Sequence, residues 1–126
     1  MNEDERKALL RAPYQLGGRD TDGIDCLGVV LTILRMRGVP EFDPWEHILA
    51  SWRDGEVDCA SGFPEGWVRV DGQALEGDVL IFFTDHSWSA IIHEGNLWTA
   101  HPAVGVWCKP MGRFKKKPRE VWRHEA

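Results

Sequence analysis

Apolar residues recur at helical spacing in the first part of the chain. Glu3 to Arg11 has acidic residues in its first turn and a basic residue at its end, and it stops before Pro13, which predicts a short helix. A second helix is predicted from Cys26 to Arg37, because its apolar residues follow the i, i+3, i+4, i+7 spacing of a face packed inward. That face is formed by Leu27, Val30, Leu31 and Leu34. Gly38 and Pro40 end the pattern.

A third helix is predicted just after Asp43. Asp43 can cap it, Pro44 suits the first helical position, and Glu46 completes a capping box. An apolar stripe follows at helical spacing, made of Trp45, Ile48, Leu49 and Trp52. The segment from Asp54 to Gly66 is predicted to be a loop.

From Trp67 onward, short apolar segments separated by turn residues predict antiparallel strands. The predicted strands are Trp67–Val70, Asp78–Phe83, Trp88–Ile92, Leu97–Ala100 and Val104–Cys108, with Val121–Arg123 as a possible edge strand. Helices followed by strands indicate an α+β fold rather than alternating βα units.

The composition is that of an ordinary globular domain: 43% of residues are hydrophobic and 28% are charged. At 126 residues we predict a single domain, residues 1–126. The net charge of −5 disfavours nucleic acid and anionic membranes as partners. Three cysteines at irregular spacing argue against a disulfide framework, and no cysteine–histidine spacing typical of zinc appears.

A glycine-rich stretch leads directly into the second helix, and it places Cys26 at the helix start. Unpaired backbone N–H groups and the helix dipole favour a thiolate at such a position. Cys26 is therefore a candidate nucleophile. The alternative is a buried, inert cysteine.

This stretch resembles the NlpC/P60 family of papain-like cysteine peptidases. The family pattern Tyr-x-x-Gly-Gly, a spacer, then Gly-Ile-Asp-Cys-Ser-Gly, is matched from Tyr14 to Gly18 and from Gly23 to Gly28. Leu27 replaces the serine that secreted members usually carry, which is more similar to the phage-encoded branch. The resemblance implies a papain-like α+β fold, with N-terminal helices packed on an antiparallel sheet.

The resemblance continues in the strand Gly77 to Phe83, which is similar to the family's Gly-Asp-Leu-Val-Phe-Phe. Aligning the following His-Val-Gly-Ile-Tyr puts Trp88 at the position of the general base, and tryptophan cannot accept a proton. His86 lies two residues earlier, on the same face of a regular strand as Trp88. We therefore predict that His86 is the base.

The family's third polar position falls on Thr99, and His101 lies two residues later on the same face. Because both displacements lead away from the hairpin turn, His86 and His101 would remain cross-strand neighbours. We predict His101 as the residue that orients the base, with Thr99 as the alternative. An exposed His86 and a strand-end His101 without catalytic roles are the competing interpretations.

The resemblance assigns an oxyanion-binding role to Tyr14, the chain's single tyrosine, beside the Cys26 N–H. Core or surface packing is the alternative for Tyr14. Asp25 is expected to support the loop or cap the helix.

The resemblance implies hydrolysis of an amide bond in a peptidoglycan stem peptide by Cys26 and His86, without a metal or cofactor. A non-catalytic module of a virion or secretion apparatus, and another thiol amidase or acyltransferase, remain alternatives. The charged segment Met1 to Arg11 lacks the apolar core of a signal peptide. We therefore expect synthesis in the cytoplasm and delivery to the cell wall by a phage particle or secretion system.

Overall fold

The computed structural model describes residues 1–43, 63–84 and 87–125, in which two α-helices accompany eight β-strands. The helices are α1 (Glu3–Arg11) and α2 (Cys26–Met36). The strands are β1 (Arg19–Asp20), β2 (Gly23–Ile24), β3 (Trp67–Arg69), β4 (Val79–Phe83), β5 (Ser87–His93), β6 (Asn96–His101), β7 (Gly105–Pro110) and β8 (Glu120–His124). A 3₁₀ turn, Met111–Arg113, follows β7. The predicted α+β class is confirmed.

Helix α1 has the bounds that the charge pattern predicts. The Asn2 side chain accepts a hydrogen bond from the Glu5 N–H, and the Glu5 carboxylate accepts one from the Asn2 N–H. This reciprocal capping box satisfies two backbone donors at the helix start. The chain becomes extended at Ala12, just before Pro13.

Helix α2 begins at Cys26 and ends at Met36, followed by Gly38 at a φ of +78°, a conformation that favours glycine. The prediction placed Leu27, Val30, Leu31 and Leu34 inward; Leu31 is partly buried and the other three are buried. Val29 and Ile33 are also fully buried. The apolar surface is therefore wider than one stripe, because α2 contacts β5 and β6 on one side and the β1–β2 hairpin on another.

Six strands form one antiparallel sheet in the order β3-β8-β4-β5-β6-β7. Strands β4 to β7 form a meander. The strand predicted at Val121–Arg123 is present within β8, but it is not an edge strand, since β8 pairs with β3 on one side and β4 on the other. Val121 is buried in this interior position.

The two faces of this sheet support separate apolar clusters. The α2 face carries Val79, Ile81, Ile91, Trp98 and Ala100. The opposite face, called here the back face, carries Leu80, Phe82, Ala90, Ile92 and Leu97. Strand β5 is buried on both faces, so its sequence shows little polar–apolar alternation.

The helix predicted after Asp43 and most of the loop predicted before Gly66 fall on residues 44–62, outside the described residues. Asp85 and His86 also lie outside them. Neither described helix is long and apolar enough to cross a membrane.

Candidate active site

Cys26 is the first residue of α2, and the buried Asp25 carboxylate fixes the chain around it. Asp25 is 2% exposed. Its Oδ1 accepts hydrogen bonds from the Gly28 N–H at 2.7 Å and from Arg19 Nη1 at 2.9 Å, and its Oδ2 accepts one from the Gly17 N–H at 2.8 Å. The carboxylate thus caps the helix and ties the glycine loop to it. The expected structural role of Asp25 is confirmed.

Glycines allow the loop to lie directly against the start of α2. A Cβ atom built at Gly28 would overlap the Gly18 carbonyl oxygen, and one at Gly18 would overlap the Gly23 carbonyl. Gly28 therefore permits a close approach of the loop to the helix. This approach fixes the position of the cysteine two residues before Gly28.

Ser89 of β5 lies across from the Cys26 sulfur. Its backbone N–H and its hydroxyl both face the sulfur. Ser89 is 1% exposed, and its hydroxyl makes no hydrogen bond of ordinary geometry within the described residues. The side of Cys26 that faces the sheet therefore meets a small hydroxyl group.

The pKa of the Cys26 thiol is raised. Burial is the main cause, and the negative charge of Asp25 raises the pKa further. Hydrogen bonding from the Ser89 N–H and hydroxyl, and from the Leu27 N–H, lowers it by less. The expectation that the helix start favours the thiolate is therefore wrong in direction. Although the residue is only partly buried, loss of hydration outweighs the helix N–H groups.

Trp88, which the alignment puts at the base position, does not face Cys26. Trp88 pairs with Phe82 and stacks on its ring on the back face, with centroids 4.3 Å apart. Because successive strand residues point to opposite faces, Ser89 is the residue that faces Cys26. Ser89 is a residue that the sequence reasoning missed.

Neither predicted orienter lies beside the Cys26 sulfur. The Thr99 hydroxyl donates a hydrogen bond to the Ser89 carbonyl oxygen at 2.7 Å. His101 is exposed at the end of β6, and its Nδ1 accepts a hydrogen bond from the Ala103 N–H at 3.0 Å. His101 lines a cleft with Trp88 on the back face. His101 therefore lies on the back face of the sheet and not at the Cys26 site, where it was predicted.

The other described histidines are also elsewhere. His93 shares the Ser89 face of β5 but lies four residues away, about 13 Å along the strand. His124 lies next to Trp67, with ring centroids 5.4 Å apart. None of the described imidazoles contributes to the pKa of Cys26. His86, the predicted base, lies outside the described residues.

Tyr14 lies next to the strand that leads into Cys26. It forms an isolated parallel bridge with Ile24 and packs against the α2-face cluster. Its predicted oxyanion role stays a prediction. Within the described parts of the chain, no group of three or more His, Cys, Asp or Glu residues is arranged to hold a metal ion.

Comparison with known proteins gives a likeness to a solved structure. No protein-family model matches the chain, and no curated protein matches it. Among solved structures, the chain is similar to the NlpC/p60 domain of the peptidoglycan hydrolase SagA, with 23% sequence identity and a TM-score of 0.53. The match covers 92% of this chain and 89% of that one. The chain therefore has an NlpC/p60-like fold.

Proposed function

We propose that this chain hydrolyses an amide bond in a peptidoglycan stem peptide, with Cys26 as the nucleophile. The supporting observation is the position of Cys26 at the start of α2, facing strand β5. The solved structure with a similar fold is a domain of a peptidoglycan hydrolase. The sequence resemblance implies a γ-D-glutamyl to diamino-acid bond and the phage-type branch, and both belong to the proposal.

The raised pKa makes a base essential to this mechanism. At neutral pH the Cys26 thiol keeps its proton, so attack on a carbonyl requires a group that removes it. We assign this role to His86, which lies three residues before Ser89 in the sequence. The sulfur would form a thioester as the protonated imidazole passes its proton to the leaving amine. Water would then hydrolyse the thioester.

The negative oxygen formed during attack needs hydrogen-bond donors. The N–H groups in the first turn of α2 have no carbonyl partner within the helix. The Gly28 N–H donates to the capping Asp25 carboxylate instead. We assign the Cys26 N–H to the oxyanion, together with the Tyr14 hydroxyl. A Tyr14→Phe variant tests the second donor, because it removes the hydroxyl and keeps the ring.

The decisive experiment digests purified peptidoglycan and identifies the released muropeptides by mass spectrometry. We expect Cys26→Ala to abolish cleavage, and His86→Ala to slow it by about 10²–10⁴-fold. His101→Ala tests the predicted orienter: a loss comparable to that of His86→Ala would support the dyad, and near wild-type activity would agree with the position of His101 on the back face. Intact stem peptides after treatment with the wild-type chain would contradict the proposal.

A second function is favoured by the environment of Cys26. Ser89, which has no basic group, faces the Cys26 sulfur from β5, and the thiol pKa is raised, so a non-catalytic module that binds wall peptides is the competing proposal. Iodoacetamide labelling of Cys26, followed by peptide mapping, separates the two. Rapid labelling near pH 7 that slows in His86→Ala supports the hydrolase. Slow labelling in both, with stem peptides bound and left intact, supports the binding module.

Delivery to the wall by a phage particle or a secretion system forms part of the same proposal. Leu27, which is more similar to the phage-encoded branch, supports it. Cell fractionation of the producing host, with and without the candidate delivery system, tests it. Equal wall association in both would contradict delivery by that system.

A further inference from the structure

The back face of the sheet carries a cleft that the proposed hydrolysis does not use. It has a volume of about 510 Å³, and we call it the Trp107 cleft. Trp88, His101, Trp107, Lys109, Phe114 and Lys116 are among its lining residues. Since the sheet separates this cleft from α2, it is distinct from the Cys26 site.

Its aromatic floor is held in place by ring contacts. Trp88 stacks on Phe82 at 4.3 Å, and Phe114 meets Phe82 edge-on at 5.2 Å. The ring of Trp107 lies 6.2 Å from that of Phe114. Trp88, Trp107 and Phe114 remain partly exposed despite these contacts. The cleft thus presents flat apolar surfaces that need little ordering when a ligand binds.

Its charge is opposite to that of the chain as a whole. The chain has 20 acidic and 15 basic residues, yet none of the described residues lining the cleft is acidic, and two are lysines. Lys109 and Trp107 are two residues apart on β7 and therefore share a face, and Lys109 Nζ lies 5.9 Å from the centre of the indole ring. Lys116 belongs to the basic segment after the 3₁₀ turn. The local chemistry is suited to an anionic ligand.

We propose that the Trp107 cleft binds an acidic glycan. A pyranose ring has an apolar C–H face that packs on an indole ring, and a carboxylate on the sugar pairs with an ammonium group. Exposed indole surface beside lysines, in an open cleft, suits a carboxylated saccharide chain that passes along the surface. The net charge of −5 makes a nucleic acid the less favoured ligand.

The test uses two glycans that differ in charge. Peptidoglycan strands stripped of their peptides carry free carboxylates, whereas N-acetylglucosamine hexamer is a neutral saccharide with a similar backbone. We expect the wild-type chain to bind the acidic strands at least about fivefold more tightly in calorimetry. Raising the salt concentration should weaken the binding of acidic strands and leave that of the neutral hexamer unchanged.

Matched variants locate the site. Lys109→Gln with Lys116→Gln should bring acidic strands down to the affinity of the neutral hexamer. Lys7→Gln with Lys115→Gln removes the same charge outside the cleft and should change neither affinity. Trp107→Leu should weaken both glycans. If the Trp107→Leu variant shows a lowered unfolding temperature, the Trp107→Phe variant, which keeps an aromatic ring, is used in its place.

The outcomes are separable from those for hydrolysis, because the stripped strands contain no stem peptide. Absence of binding at millimolar glycan, equal affinity for both glycans, or an equal loss in the Lys7/Lys115 control would overturn the proposal. Binding of single-stranded DNA with the same dependence on Lys109 and Lys116, without glycan binding, would also overturn it.

Discussion

The two ends of the contact between α2 and β5 are built differently. At the start of α2, the Cys26 sulfur meets the backbone N–H and the buried hydroxyl of Ser89. Just past the other end of the helix, Arg37 Nη1 donates a hydrogen bond to His93 Nδ1 at 3.0 Å. The α2 face of β5 thus carries an imidazole at the end remote from the thiol. A histidine can act as the base for Cys26 only if it lies close to the sulfur, and His93 lies too far along β5.

The charges at the two ends differ as well. Around His93 lie Arg37 from the end of α2, Glu76 from the segment before β4, Glu94 from the β5–β6 turn, and the N-terminus. Glu76 accepts hydrogen bonds from Arg37 and from backbone N–H groups of the turn, so this end is bound together through many polar contacts. At the Cys26 end, the polar contacts concentrate on Asp25 and fix the loop. These contacts stabilise the loop more than they stabilise a charge on the Cys26 sulfur.

The largest expected effect tests whether Asp25 holds the Cys26 end together. Asp25→Ala removes the acceptor of two backbone N–H groups and one of the acceptors of Arg19, which keeps Asp43, and should lower the free energy of unfolding by about 3 kcal/mol. Asp22→Ala, at an exposed position in the same loop, is the matched control. Urea unfolding followed by tryptophan fluorescence measures both. Equal unfolding free energies would refute the central role of Asp25.

A smaller effect tests the strand parity. Ser89→His would place an imidazole on the Cys26 side of β5, and we expect about tenfold faster iodoacetamide labelling of Cys26 at pH 7, equivalent to one pKa unit. Trp88→His puts the same side chain on the back face and should leave the rate unchanged.

Ser89→Ala tests the Ser89 hydroxyl with a side chain that fits the space of the native serine. It removes a hydroxyl that lowers the pKa of Cys26, so labelling should become slower. Equal labelling in Ser89→His and Trp88→His, together with no change in Ser89→Ala, would contradict the assignment of Ser89 as the residue facing the sulfur.

The smallest effect concerns His93, whose pKa is lowered, mainly by burial. As the pH falls below about 6.5, the unfolded chain takes up a proton at this residue before the folded chain does. The free energy of unfolding should therefore fall between pH 7 and pH 5. His93→Gln should show a shallower fall, whereas His101→Gln, at an exposed position, should match the wild type. A wild-type slope in His93→Gln would contradict this account.

Local signals in the sequence predicted the helices closely. The capping residues and charges of α1 are adjacent in sequence, and the start of α2 follows from Asp25 and the glycines before it. The meander β4–β7 was also predictable, because turn residues separate its apolar segments. These elements are specified by residues a few positions apart.

The site depended on information that is not local. Because β5 is buried on both faces, Ala90, Ile91 and Ile92 form an unbroken apolar run, and the sequence alone does not reveal whether Trp88 or Ser89 faces Cys26. A shift of one residue moves every side chain to the opposite face. The interior position of β8 is likewise set by pairing with strands about 40 and 55 residues earlier. The pKa of Cys26 was misjudged because burial depends on the assembled sheet.

The interior position of β8 also has a consequence for how the molecule assembles during synthesis. Strands β3 and β4 do not pair with each other, and residues 120–124 fill the gap between them. A nascent chain that has emerged only as far as β7 can form the meander, but β3 has no partner in this sheet and β4 has an open edge. We therefore expect ribosome-bound intermediates shorter than about 120 residues to be prone to aggregation, and completion of the sheet to wait for β8 to be made.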